Sequence, residues 1–135
     1  MKHQITPYLT FDGQARDALA FYEEVFQAEV FDIQSYGEAD FPTPEEANDR
    51  ILHAKIKKGE LLVMVSDTFP GNPLEVGTNI SLVLDCESES EIQYLYETLR
   101  KNGTTLMELQ DTFWGARFAK VKDCFGVHWD LNYTK

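Results

Sequence analysis

Apolar and polar side chains alternate from Ile5 to Phe11, with Ile5, Pro7, Leu9 and Phe11 on one side and Thr6, Tyr8 and Thr10 on the other. A period of two predicts a strand with two unlike faces, and Pro7 suits a strand start or a sheet edge. Asp12-Gly13 turns the chain into a segment where Ala15, Ala18, Leu19, Tyr22, Val25 and Phe26 recur at helical spacing, predicting an amphipathic helix of about four turns. Glu29 to Tyr36 alternates again and predicts a second strand. Gly37 to Asp49 carries five acids and two prolines without periodicity, which predicts a long exposed loop. Ile51 to Lys57 and Leu61 to Ser66, joined by Lys58-Gly59-Glu60, predict a hairpin whose second strand is buried on both sides. The turn-rich segment Asp67 to Gly77 is the best internal boundary.

The same order then returns. Asn79 to Asp85 predicts a strand, and Ser88-Glu89-Ser90-Glu91 predicts a capping box that opens a helix with Ile92, Leu95, Tyr96 and Leu99 on one face and Gly103 at its end. Thr104 to Gln110, Ala116 to Lys122 and Val127 to Tyr133 predict three more strands. The first strands of the halves start 74 positions apart, at Ile5 and Asn79, and the helices, near Gln14 and Ser88, repeat that offset. The last strands, at Leu61 and Val127, are offset by 66, a shortfall expected if the acidic loop has no counterpart in the second half. Matching offsets imply duplication: one domain over 1–135 made of two βαβββ modules, 1–67 and 78–135.

Composition narrows the function classes. The 135 residues are 43% hydrophobic and 26% charged, an ordinary mixture for a compact domain. Twelve basic against 23 acidic residues leave a net charge of −11, which repels phosphate backbones and anionic bilayers, so neither nucleic acid nor membrane is an expected partner. The longest apolar run, Leu61 to Val65, falls far short of the roughly 20 residues of a bilayer span, and no secretory signal opens the chain. Cys86 and Cys124 form no CxxC pair and read as reduced thiols filling apolar space, so a cytoplasmic protein is expected.

Several strings narrow the reading further: Pro7-Tyr8-Leu9 followed by Ala18-Leu19-Ala20-Phe21-Tyr22, His53-Ala54-Lys55-Ile56 leading to Leu62-Val63-Met64-Val65-Ser66-Asp67, Phe113-Trp114-Gly115-Ala116-Arg117, and Asp123-Cys124-Phe125-Gly126-Val127-His128-Trp129. With the paired modules they resemble the PhnB-like branch of the glyoxalase, bleomycin-resistance and dioxygenase superfamily, known as the vicinal-oxygen-chelate proteins, over essentially the whole chain. The resemblance implies an α+β fold in which a curved mixed sheet of two βαβββ modules wraps a central cleft, and it implies a homodimer. Members of that branch have been labelled as resembling a demethylubiquinone methyltransferase. No glycine-rich loop here joins a parallel strand to a helix, so nothing in the sequence suggests an S-adenosylmethionine site.

In the resembled fold the polar strand faces line the cleft. Those faces carry Thr6, Tyr8 and Thr10, then His53, Lys55 and Lys57, then Asn79 and Ser81, then His128, Asp130 and Asn132, while Leu52, Ala54 and Ile56 pack the core. A solvated face is the plain alternative, and His3 at the terminus carries no weight. Metal-using relatives draw four ligands from the first and last strands of the modules, and the matching positions are Thr6, Met64, Asn79 and Asp130, of which only Asp130 is a strong ligand. His53, Asn79 and Asp130 are thus the candidate metal ligands, and a divalent metal is the cofactor the resemblance implies. Ser66 and Ser81 lack a nucleophile-elbow setting, and Cys124 and His128 are spaced about 13 Å apart along an extended strand. Arg117 offers a fork to a carboxylate or phosphonate, or ties its loop to an acid. Phe113, Trp114 and Trp129 are core, cavity wall or a stacking platform.

The cleft candidates are therefore Tyr8, His53, Lys55, Asn79, Ser81, Trp114, Arg117, His128 and Asp130. The leading expectation is a protein that binds a small molecule without a full metal set. The alternatives are a metal-dependent lyase, isomerase or dioxygenase acting on vicinal oxygens, and sequestration of a cationic antibiotic favoured by the −11 charge.

Overall fold

The computed structural model describes residues 1–135 as two compact units, Met1–Glu75 and Val76–Lys135. The first contains β1 (Tyr8–Phe11), α1 (Ala15–Phe26), β2 (Glu29–Ser35), β3 (Ile51–Lys58) and β4 (Leu61–Asp67). The second repeats the order with β5 (Leu82–Asp85), α2 (Glu89–Leu99), β6 (Thr104–Asp111), β7 (Ala116–Lys122) and β8 (His128–Thr134). The fold is α+β, as expected, and the strands form two four-stranded sheets, one per module. Their orders are β1-β4-β3-β2 and β5-β8-β7-β6, the same topology twice. In each, the first and last strands of the module pair in parallel and the remaining neighbours antiparallel, so both sheets are mixed. Neither helix is long and apolar enough to cross a membrane.

One face of each sheet is apolar because alternate residues of every strand point the same way. In the first unit α1 packs on β3 and β4, and Ala15, Ala18, Leu19, Tyr22 and Val25 are buried with Ala54, Ile56, Val63 and Val65. In the second, Ile92, Leu95, Tyr96 and Leu99 of α2 are buried with Ala119, Val121, Trp129 and Leu131. The other face of β4 is only half-buried at Leu62, Met64 and Ser66, which corrects the expectation of burial on both sides.

Two buried carboxylates tie the modules internally. Asp67 Oδ1 accepts the N–H groups of Gly13 and Ala15 at 2.8 and 3.0 Å, and Oδ2 accepts Ile51 N–H at 2.9 Å. A side chain at the end of β4 thus holds the start of α1 and the start of β3. Asp123 accepts N–H groups of Phe125 and Val127 and the Trp129 indole N–H at 2.9 Å, fixing the β7–β8 turn. Trp129, 1% exposed, is core and not a platform.

Other departures have local causes. β1 begins at Tyr8 rather than Ile5, and Ile5 is almost wholly exposed. The acidic loop is more ordered than its composition predicts: 3-10 turns form at Tyr36–Glu38 and Glu45–Ala47, and Tyr36 and Ala47 are buried. Ser88 caps α2 by accepting Glu91 N–H at 3.1 Å, but the Glu91 carboxylate reaches Glu87 N–H rather than closing the box on Ser88. Cys86 is buried as expected, whereas Cys124 is exposed.

Candidate functional site

The open face of the first sheet is laid out by strand register. Tyr8, Met64, Lys55 and Phe31 form one row across β1, β4, β3 and β2. His53 and Lys55 lie two residues apart on β3 and so share this face. The Tyr8 hydroxyl lies 2.7 Å from His53 Nδ1, with the rings edge to face at 5.5 Å. Lys55 Nζ reaches Asp32 Oδ2 at 3.3 Å and stands 5.9 Å above the Phe31 ring. Asp32 lies in a β-bulge between Phe31 and Gln34, where its φ of 52° departs from the strand conformation. A groove of about 430 Å³ adjoins this face, lined by Gln4, Ile5, Thr6, Lys57, Gly59, Glu60 and Leu62.

The open face of the second sheet centres on Asp130. Register places Lys120 on β7 opposite Asp130, and Lys120 Nζ donates to Asp130 Oδ2 at 2.9 Å. Ser81 Oγ donates to the same oxygen at 3.1 Å, and the Asp130 side chain is 13% exposed. The ammonium also lies 5.5 Å from the Phe118 ring, which meets Trp114 at 6.0 Å, which in turn meets Phe113 at 5.0 Å. Beside this series, Asn132 donates to Asp85 Oδ1 at 3.2 Å. His128 shares the face by register with Lys122, and its Nε2 is buried without a hydrogen bond.

Several sequence candidates are placed differently. Asn79 and Ser81 precede β5, which starts at Leu82, and Asn79 is exposed. Arg117 pairs in register with Tyr133, on the face opposite to Asp130, and its guanidinium lies 3.6 Å from Asp111. Asp111 also accepts from Lys135 at 2.8 Å, and that hydrogen bond, with the Lys135 charge, holds its carboxyl below the usual range. Cys124 sits in a tight turn closed by Asp123 N–H to Val127 O at 2.9 Å, so its spacing to His128 is not that of an extended strand. Partial desolvation, reinforced by the Asp123 charge, raises its pKa and disfavours a nucleophilic thiolate.

The inherited metal positions do not fit a divalent ion. Thr6 accepts from Gln4 at 3.2 Å, Met64 offers a thioether, and Asn79 lies outside the strand. Asp130, the strong ligand, already holds an ammonium. His53 belongs to the first unit and is engaged by Tyr8, while Asp130 belongs to the second and is engaged by Lys120. The sequence reading missed Lys120 and Asp32. The tight turn after Lys122 fixes a hairpin register that aligns Lys120 with Asp130, a signal present in the sequence, whereas nothing in the alternation marks the bulge at Asp32.

A nucleotide-type cofactor fits no better. The start of α1, where backbone N–H groups recruit anions, is filled by Asp67, and the start of α2 by Ser88. The turn between β1 and α1 holds one glycine, Gly13, whose N–H is committed to Asp67.

Residues 3–132 match the family model described as 3-demethylubiquinone-9 3-methyltransferase. Protein YjdN of Escherichia coli strain K12 is 32% identical, an alignment covering 97% of this chain and 95% of that protein. Among solved structures, PA1353 of Pseudomonas aeruginosa superposes with a TM-score of 0.87 at 34% identity, covering 97% of each chain. A PhnB protein from Bacillus cereus superposes at 0.82 with 27% identity, covering 98% of this chain and all of that one. The fold extends to a glyoxylase/bleomycin resistance protein/dioxygenase domain from Frankia, with a TM-score of 0.71, 13% identity, and coverage of 100% of this chain and 99% of that one.

Proposed function

The chain belongs to the PhnB-like branch of the glyoxalase, bleomycin-resistance and dioxygenase superfamily, and from that premise we propose that it binds a small molecule on its polar sheet faces without a resident divalent ion. The observation that carries this reading is the Lys120–Asp130 pair at 2.9 Å. A carboxylate that is mostly buried, neutralised by an ammonium and hydrogen-bonded by Ser81 has little left to offer a metal. Displacing Lys120 would cost the ion pair and require two or three further ligands that neighbouring residues do not supply.

Methyl transfer, the activity named in the family description, is not part of the proposal. Both helix starts are filled by the chain's own side chains, and neither sheet has the parallel switch point at which α/β folds hold nucleotide cofactors.

The protein should purify without stoichiometric metal, and EDTA should leave its melting temperature unchanged. About one transition-metal ion per chain, lost in Asp130→Ala, would overturn the reading in favour of the metalloenzyme. We further propose that the chain pairs with a second copy across the β5 edge, where Val76, Ile80 and Val83 are each more than half exposed. Sedimentation showing only a 15.5 kDa species at micromolar concentration would refute that. The two free cysteines suit the reducing compartment expected from the sequence.

A further inference from the structure

We propose that the open face of the first sheet is a recognition site for a small organic oxyanion, bound by His53 Nε2–H and the Lys55 ammonium and oriented by Tyr8 and Asp32. This inference rests on the small-molecule reading above and names the chemistry of its ligand.

The donors are held in place by neighbours from other strands. In the assigned tautomer the Tyr8 phenol, the more acidic donor of the two, donates to Nδ1 at 2.7 Å and the imidazole proton stands on Nε2. That Nε2–H makes no hydrogen bond within the chain. Lys55 is fixed between the Asp32 carboxylate and the Phe31 ring, and its remaining N–H groups are unspent. His53 and Lys55 are successive residues on one face of β3, roughly 7 Å apart at Cα, a span that one carboxylate or phosphate group with flexible partners can bridge.

Stability does not account for this arrangement. The Lys55–Asp32 pair is exposed enough that such a contact adds little to stability. The left-handed conformation that brings Asp32 to it is disfavoured for a residue with a Cβ. The two cancel or leave a deficit, so what the bulge secures is the position of the lysine. Bulges that re-aim a side chain are common beside binding sites.

Charge points the same way. The chain as a whole is strongly acidic, yet this face gathers Lys55, Lys57 and His53. The acids facing them are Asp32, already paired, Glu29, opposite Lys57 on β2, and Glu60, which lines the groove with Lys57. Met64 and Leu62 supply an apolar floor between the donors, and the adjoining groove offers about 430 Å³, room for the body of a small organic acid.

The test is an NMR titration of the full chain, labelled with 15N in imidazole and lysine side chains, with acetate and separately with inorganic phosphate at constant ionic strength. Saturable shifts at His53 Nε2 and Lys55 Nζ are expected, and the arm that saturates first tells carboxylate from phosphate. His53→Gln and Lys55→Ala should each weaken binding about tenfold, the loss of one charge-assisted hydrogen bond. Lys58→Ala, which removes from the same strand an ammonium bonded to Gln27 O at the end of α1, should leave binding unchanged. Tyr8→Phe should stay folded, lose the Nε2–H tautomer signature and weaken binding, which a merely structural tyrosine would not do. No saturable shift in the millimolar range, or equal affinity in all variants, overturns the proposal. If a neutral or cationic compound raises the melting temperature while neither anion binds, only the oxyanion assignment fails. If about one metal ion per chain is found and acetate binds to it, the underlying reading fails as well.

Discussion

Replacing Asp67 with alanine tests the claim that the first module is organised around one buried carboxylate. The side chain is 2% exposed and accepts three backbone N–H groups at 2.8, 3.0 and 2.9 Å, from Gly13, Ala15 and Ile51. Gly13 is exposed, so water can take over its N–H, but Ala15 and Ile51 are wholly buried and their donors would be orphaned. Two buried orphans at about 1–3 kcal/mol each, with part of the favourable interaction between a carboxylate and a helix start, put the loss near 4 kcal/mol. An unfolding entropy of about 2.1 cal/mol/K per residue is roughly 0.28 kcal/mol/K for 135 residues, so the melting temperature should fall by about 14 °C. Asp67→Asn keeps one acceptor oxygen for Gly13 and Ala15 but turns an amide N–H₂ toward Ile51, and should lose about half as much. Calorimetry of the three proteins decides the matter. An alanine variant melting within about 3 °C of the parent would refute the reasoning. An asparagine variant as damaged as the alanine one would show that charge, and not the count of acceptors, carries the effect.

The other predictions concern smaller parts of the molecule. Ser88→Ala removes the acceptor of Glu91 N–H and should cost about 1 kcal/mol, read as a drop of about 3–4 °C in melting temperature. Burial, helped by Glu91 and Asp85, pushes the Cys86 thiol up to about 11, so at pH 8 about one molecule in a thousand carries the thiolate; iodoacetamide should modify exposed Cys124 first and Cys86 only after unfolding. The Arg50 hydrogen bond holds the Asp12 carboxyl below its ordinary range, so the pair stabilises above the unfolded carboxyl pKa of about 4 and fades as pH falls through the folded value; melting curves of the parent and Arg50→Gln should converge in acid and separate toward neutrality. Gly103→Ala would bring a Cβ to the Lys122 carbonyl oxygen and to Asp123 backbone atoms, a clash no side-chain rotation relieves, and should destabilise by several kcal/mol in a chemical denaturation curve.

The alternation of Leu52, Ala54 and Ile56 against His53, Lys55 and Lys57 predicts the two faces of β3, because side-chain direction in a strand is a local property of the backbone. The 74-residue offset predicts two modules, and the identical strand orders bear that out. Where β1 and β5 begin was not legible, because the ends of edge strands are set by a neighbour: Tyr8 pairs with Met64 and Leu82 with Trp129, both far along the chain. The order in the acidic loop was hidden for a similar reason. Tyr36 is held by its hydroxyl donating to Asp67 O, and its N–H by Arg50 O, contacts that composition does not announce.

The candidate site shows the same division between local and non-local information. Asp130 was recognisable as the one strong ligand among the inherited positions, but its role depends on which side chain lies opposite. Lys120 sits ten residues earlier, and only the hairpin register brings its ammonium to 2.9 Å. A neutral residue at 120 would leave a mostly buried carboxylate paired only with Ser81, an arrangement that invites a proton or a cation. The lysine supplies that positive charge from within the chain. Substituting Lys120 therefore asks whether the carboxylate then takes up a proton or an added metal ion, a question that inspection of the ligand positions alone would not raise.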